Sequence, residues 1–153
     1  MPSRSHLGTS TRNNFLRSGI AVVALAIGFA VPPTAFASTI AFRVELKGAG
    51  MVPPTGSGAT GYVHATYDTQ SRKLSWAGDY SGLSSKVTRI AFHGPAGPAA
   101  TAGVVQRISS LSSGSTTLSE AEAAELIGGY WNITIHTRGH PDGEIRGQVE
   151  RGE

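Results

Sequence analysis

From about residue 38 onward, apolar and polar residues alternate with a period of two in segment after segment. That is the spacing of strands that bury one face. In the first segment Ile40, Phe42, Val44 and Leu46 alternate with Ala41, Arg43, Glu45 and Lys47, so the even positions are expected inward. A glycine- and proline-rich connection from Gly48 to Gly61 leads to a second strand with Val63, Ala65 and Tyr67 inward and His64 and Thr66 outward. After a polar turn at Asp68 to Arg72, a third strand sets Leu74, Trp76 and Tyr80 on one face and Asp79 on the other. A fourth sets Ile90 and Phe92 inward, with Arg89, Ala91 and His93 outward.

The segment from Gly94 to Gly103 reads as a loop, because its prolines and glycines deny a regular ladder, and Val104 to Ile108 reads as a short strand. A helix is expected at about 119–127, where Ser119 and Glu122 have capping-box spacing and Gly128 supplies a stop. Two strands close the chain, one with Trp131, Ile133 and Ile135 inward and one with Ile145 and Val149 inward, joined by a hairpin loop at Pro141-Asp142-Gly143. About seven short strands and one short helix predict an all-β fold, an antiparallel immunoglobulin-like or Greek-key β-sandwich.

The first 37 residues do not follow this pattern. Arg4, Arg12 and Arg17, with no acidic residue, precede an apolar run from Ile20 to Val31 that is shorter than the ~18–20 residues needed to span a bilayer. Pro32, Pro33 and Ala35-Phe36-Ala37 follow. The arrangement predicts a signal peptide cleaved after Ala37, which leaves residues 38–153 as a single secreted or periplasmic domain with no transmembrane segment. An uncleaved anchor is the competing reading, opposed by the short run and the well-placed cleavage site. Thr11 to Arg17 is also similar to a twin-arginine signal with Asn13 at the second arginine position, so the general secretory and twin-arginine routes both stay open.

Removing this segment changes the electrostatic picture. The whole chain is basic, with a net charge of +3 and an isoelectric point near 9.6. The three arginines of the leader account for that excess. The remaining domain carries ten basic and ten acidic residues and offers no clustered cationic surface for nucleic acid. With no cysteine, disulfides, thiol catalysis, zinc fingers and iron–sulfur clusters are excluded.

Three blocks in fixed order carry a resemblance. His93-Gly94-Pro95-Ala96, then Tyr130 to Thr137 (YWNITIHT), then Pro141 to Gln148 (PDGEIRGQ) are similar to the CHRD domain, named from its occurrence in chordin. The resemblance covers about residues 39–150. It implies a secreted immunoglobulin-like β-sandwich, here as a stand-alone bacterial-type member, whose biochemical activity is largely undefined. Members often carry two histidines before Gly-Pro-Ala, where this chain has Ala91 and His93. They often read Asn-x-His-Thr, where Thr134 and Ile135 separate Asn132 from His136.

Candidate chemistry is sparse. Gly56-Ser57-Gly58-Ala59-Thr60-Gly61 matches a dinucleotide-binding pattern, but it opens a strand where that motif must open a helix. No G-x-S-x-G elbow is present, and Asp68, Asp79, Asp142 and Glu144 are scattered over turns and outward positions without forming a glycosidase pair. Glu144 and Arg146 read as functional groups or as an outward-facing charge pair. Asn132-Ile133-Thr134 is a glycosylation sequon inside an expected strand, and Trp76 and Trp131 are expected in the interior. The sharpest signal is the histidines. His93, His136 and His140 are candidate copper or zinc ligands if their strands are neighbours, since those metals accept three or four nitrogen donors. The alternative is structural: His136 paired with Glu144 or Arg146, His140 a turn residue, and His64 on the surface. Architectural likeness to copper–zinc superoxide dismutase raises the metal reading, although a dismutase would need more closely spaced histidines than this chain offers. The reading reached is an exported, non-enzymatic binding or structural module without a required cofactor, engaging a protein or cell-envelope partner. A copper- or zinc-binding protein is the alternative.

Overall fold

Alternation in the first strand sets the architecture. In the computed structural model, which describes residues 38–152, β1 (Thr39–Lys47) buries Phe42, Val44 and Leu46 and exposes Arg43, Glu45 and Lys47. β2 (Thr60–Asp68) and β3 (Lys73–Ser81) continue it as an antiparallel meander, with Phe42 opposite Ala65 and Ala65 opposite Trp76. Matching registers keep the apolar sets of all three strands on one face. The expected signal segment, residues 1–37, lies outside the described residues.

A second group of strands packs on that face. β4 (Val87–His93) lies between β5 (Val104–Ile108) and β7 (Asn132–Thr137), and β7 pairs with β8 (Ile145–Gln148). β8 meets β1 at Lys47 opposite Arg146, so with β6 (Gly114–Thr117) on the far edge the strands form one antiparallel sheet in the order β5-β4-β7-β8-β1-β2-β3-β6. The short β9 (Glu150–Arg151) pairs with β1 as well. The sheet folds over on itself, close to a barrel. Trp76 of one half stands 5.5 Å from Phe92 of the other, and Phe92 the same distance from Trp131. The expected all-β antiparallel fold with one short helix is therefore observed, and both tryptophans are interior.

Two features differ from the sequence reading. β6 (Gly114–Thr117) pairs with the edge of β3 although its Gly-Ser-Thr-Thr sequence has no apolar alternation to announce it. Tyr80, expected inward, is exposed at the end of β3. The helix α1 (Glu120–Ile127) has its expected capping box, Ser119 Oγ accepting from Glu122 N and Glu122 Oε2 accepting from Ser119 N. Gly128 is its C-cap, the expected stop, and the positive φ of +79° follows at Gly129. Glu125 on α1 accepts from Trp131 Nε1 at 3.1 Å, tying the helix to the start of β7. Among the described residues no helix is long and apolar enough to cross a membrane.

Gly94 shows why the His-Gly-Pro-Ala block has its glycine. A β-carbon there would stand 2.5 Å from Trp131 Cδ1, and Trp131 is fully buried. Gly94→Ala is expected to cost about 1–3 kcal/mol through this overpacking, read as a lower urea midpoint. An unchanged midpoint would contradict the contact.

Candidate functional site

β7 is buried on both faces, all six residues of Asn-Ile-Thr-Ile-His-Thr. Ile133 and Ile135 enter the core, while Asn132, Thr134 and His136 point the other way, to a face that antiparallel sandwiches usually leave wet. Here two loops roof it. One carries Gly50, Met51 and Val52 after β1, and the other runs from Gly97 to Ala102 after β4. Of the histidines expected on an outward face, His136 is therefore covered, at 3% exposed, and His93 is half-buried, while Ala91, two residues before it, is fully buried. Asn132 is 1% exposed, which seals the sequon inside the folded domain.

Arg146 holds this roof. It lies opposite Thr134, is 4% exposed, and donates through Nη1 to Pro98 O (3.1 Å) and Gly50 O (3.4 Å). Nη2 donates to Gly97 O (3.2 Å) and Ala100 O (2.8 Å). Four carbonyls thus satisfy a buried cation, which burial pulls below the ordinary arginine pKa. Its neighbour Gln148 donates to Ala96 O and Gly129 O at 2.9 and 2.7 Å. The expected outward-facing pair of Glu144 with Arg146 is not formed, because Arg146 is buried under the roof and Glu144 turns elsewhere.

Under the roof the structure brings His93 and His136 together. β4 and β7 pair so that Arg89 is opposite His136 and His93 opposite Asn132. His93 Nδ1 donates to Ala102 O at 3.0 Å, and His136 Nδ1 donates to Pro141 O at 2.9 Å. Carbonyls only accept, so Nδ1 carries a proton in both rings, and in their neutral form both Nε2 atoms are bare. Those two Nε2 atoms are 3.5 Å apart, with the rings tilted by 35°. Arg89 Nη2 is 3.1 and 3.2 Å from the two nitrogens of His136, a near-equal pair of distances that places the guanidinium over the ring face. Burial lowers both imidazole pKa values most, and the charge of Arg89 lowers both further, with Arg146 adding to the effect on His93. The pair is accordingly neutral at neutral pH. It lines a cavity of about 170 Å³ with Met51, Val52, Thr101, Ala102, Asn132, Thr134, Asp142 and Arg146.

His140 belongs to a different cluster. Its Nδ1 lies 3.3 Å from Ser84 Oγ and 3.5 Å from Glu144 Oε2. Serine, histidine and glutamate meet here without forming a hydrolytic triad. Ser84 Oγ donates to the carboxylate at 2.8 Å, and both neighbours of His140 share one ring nitrogen, so the imidazole does not stand between hydroxyl and carboxylate as a triad requires. Among the described residues no three histidine, aspartate or glutamate side chains converge as a metal-ligand group.

Glu144, expected at a turn or outward position, is fully buried. It lies in a bend just before β8, where strand parity no longer applies, and accepts from Ser57 Oγ, Ser84 N, Ser84 Oγ and Thr137 Oγ1 at 2.6–2.8 Å. Burial alone would raise its pKa. The four donors outweigh that and bring it down to about 2. His136 therefore does not pair with Glu144 or Arg146, its partners being Pro141, Arg89 and His93.

The shifts have one sign. A group with a folded pKa below its unfolded value loses its stabilisation as pH falls from the unfolded value through the folded one. Unfolding free energy is expected to decline in two stages on acidification. The first begins near 6.5 as His93 and His136 are forced to charge, and the second runs from 4.5 to about 2 as Glu144 is protonated. In denaturant titrations across pH, Glu144→Gln should shrink the second stage, leaving the smaller share of Asp68 and Glu45, and leave the first unchanged. A profile in which Glu144→Gln matches the wild type would contradict the assignment.

Neither curated proteins nor solved structures contain a match to this chain. A family profile for the CHRD domain does match, over residues 42–149, a span that includes the roofed face, both imidazoles, Arg146 and Glu144. The chain belongs to the CHRD domain family.

Proposed function

We propose that the chain is an exported CHRD module that acts by binding, and that a protein or cell-envelope partner engages it at the roofed face around His93, His136 and Arg146. The observation that carries this reading is the pair of neutral imidazoles whose bare Nε2 atoms face each other at 3.5 Å with no proton between them. Such an arrangement is unfavourable by itself and becomes favourable when a ligand supplies a positive or hydrogen-bonding group. Arg89 Nε, also buried there, has no hydrogen-bond partner within the protein. A cavity of about 170 Å³ is below the ~300–1,000 Å³ of sites for drug-sized ligands, which favours an ion or a single protruding group of a larger partner. Export is supported by the arginine-bearing, apolar and Ala-x-Ala stretches of residues 1–37, with cleavage after Ala37.

A second reading has a specific observation in its favour. Two nitrogens on one metal with ~2 Å bonds lie no more than ~4 Å apart, and His93 and His136 meet that condition. Copper or zinc would then be the bound species, with His140, outside the lining of this cavity, contributing through its own cluster or not at all.

The test is to purify wild type and His136→Asn from their own compartment and compare co-purifying species by mass spectrometry and elemental analysis. The expected outcome is an N-terminus at Ser38 and a species retained by the wild type about tenfold or more above the variant, a difference of ~1.4 kcal/mol or more. Identical co-purifying species, or a specific turnover activity abolished in His136→Asn, would contradict the reading.

A further inference from the structure

We propose that the roofed cavity is a site for monovalent copper, with His93 Nε2, His136 Nε2 and the thioether of Met51 as its three ligands. The inference rests on the metal form of the binding reading above and departs from it in replacing His140 with Met51 and in choosing one oxidation state.

Each imidazole has its Nδ1 proton taken by a backbone carbonyl, of Ala102 for His93 and of Pro141 for His136. That is the outer-shell arrangement that fixes a metal-binding histidine in one tautomer and aims the other nitrogen at the metal. With bonds of ~2 Å, a nitrogen separation of 3.5 Å corresponds to an N–metal–N angle of about 120°. A third donor in the same plane would complete a trigonal centre, a geometry suited to a closed-shell ion with no directional preference of its own.

Met51, half-buried on the loop after β1, lines the same cavity as both imidazoles. Its thioether end lies against Gly143, a glycine that Thr134 also borders. A β-carbon at Gly143 would stand 2.5 Å from Met51 Cε, 3.0 Å from Sδ and 2.7 Å from Thr134 Cγ2, so the glycine of the Pro-Asp-Gly turn leaves the room the thioether fills. Thr134 sits two residues before His136 on the same face of β7, which puts the sulfur on the imidazole side of the strand. The chain has two methionines, and Met51 is the one outside the leader.

The three donors are neutral, two of them imidazole and one a soft thioether, and thioether donors select cuprous copper over zinc. Arg89 lies over His136, and Arg146 lines the same cavity. Repulsion from two guanidiniums is twice as large for a dication as for a monocation. Asp142 at the rim is exposed and offsets that repulsion only in part.

The test is anaerobic titration of the metal-free protein with cuprous ion against a chromophoric Cu(I) chelator, with X-ray absorption on the loaded wild type. One Cu(I) per chain and a sulfur scatterer beside two nitrogens are expected. His93→Gln and His136→Gln should each weaken Cu(I) binding by about 100-fold, and Met51→Leu by about tenfold, against 10–100-fold for outer-shell changes in known sites. Zinc affinity in Met51→Leu and Cu(I) affinity in His140→Ala should match the wild type. Wild type that surrenders all copper to the chelator, a nitrogen-only absorption spectrum, or Met51→Leu binding Cu(I) as tightly as wild type would overturn the proposal. The absorption measurement needs no variant, so a variant that fails to fold leaves the proposal testable. If Cu(I) fails while another species is still retained through His136, the copper proposal falls and the binding reading stands. If both fail, so does the binding reading.

Discussion

The candidate site depends on one buried guanidinium. A sandwich of this size ordinarily keeps one polar, hydrated face on each sheet. Arg146 converts one of those faces into a second interior by reaching across to the carbonyls of Gly50, Gly97, Pro98 and Ala100. Those bonds hold two irregular loops over β4, β7 and β8. Once the loops are in place, Ala102 O is positioned to take the Nδ1 proton of His93. The turn at Pro141 does the same for His136 from the other side. The imidazole geometry is thus a consequence of how the roof is attached. Because the cation is satisfied by carbonyls and not by a carboxylate, its charge remains felt by His93, where it adds to the burial and the Arg89 charge that lower that imidazole's pKa.

Glu144 does the complementary work at the neighbouring end of the molecule. Its four donors come from the Ser57 loop, from Ser84 and from Thr137 at the end of β7, so a single carboxylate ties three segments together. Removing a group so placed orphans several donors at once, and this is costlier than losing any one hydrogen bond. Arg146 and Glu144 stand two residues apart in the Gly-Glu-Ile-Arg-Gly stretch and yet serve separate networks. A bend before β8 separates them, turning Glu144 toward Thr137 while Arg146 follows strand parity toward the roof.

Much of the fold was legible in the chain because period-two alternation is a direct record of which face is buried. β1, β2 and β7 could be placed from that alone, as could Trp76 and Trp131. The helix was legible from Ser119 and Glu122, whose reciprocal hydrogen bonds form as their spacing predicts. β6 was not, because an edge strand of Gly-Ser-Thr-Thr is specified by its partner β3 and not by its own pattern. The roof was missed for a similar reason: alternation reports a polar face but does not say whether water or a loop covers it. One signal was present. The outward residues of β1 are Arg43, Glu45 and Lys47, while those of β7 are Asn132, Thr134 and His136, with no formal charge among them at neutral pH. An uncharged polar face beside two long Gly- and Pro-containing loops is what a covered layer requires, since each group in it must find a partner. The pairing of His93 with His136 and the separation of His140 both depend on strand register, which spacing along the chain does not record.

The central claim is that the loops fix His93 and His136 as neutral rings with the proton on Nδ1 and bare Nε2 atoms facing each other. Long-range proton–nitrogen correlation NMR on metal-free protein at neutral pH, with His93 and His136 assigned by substitution, reads the tautomer of each ring directly. The account predicts the Nδ1-protonated neutral tautomer for both. A proton on Nε2 of either ring, or an imidazolium at either position, would contradict it.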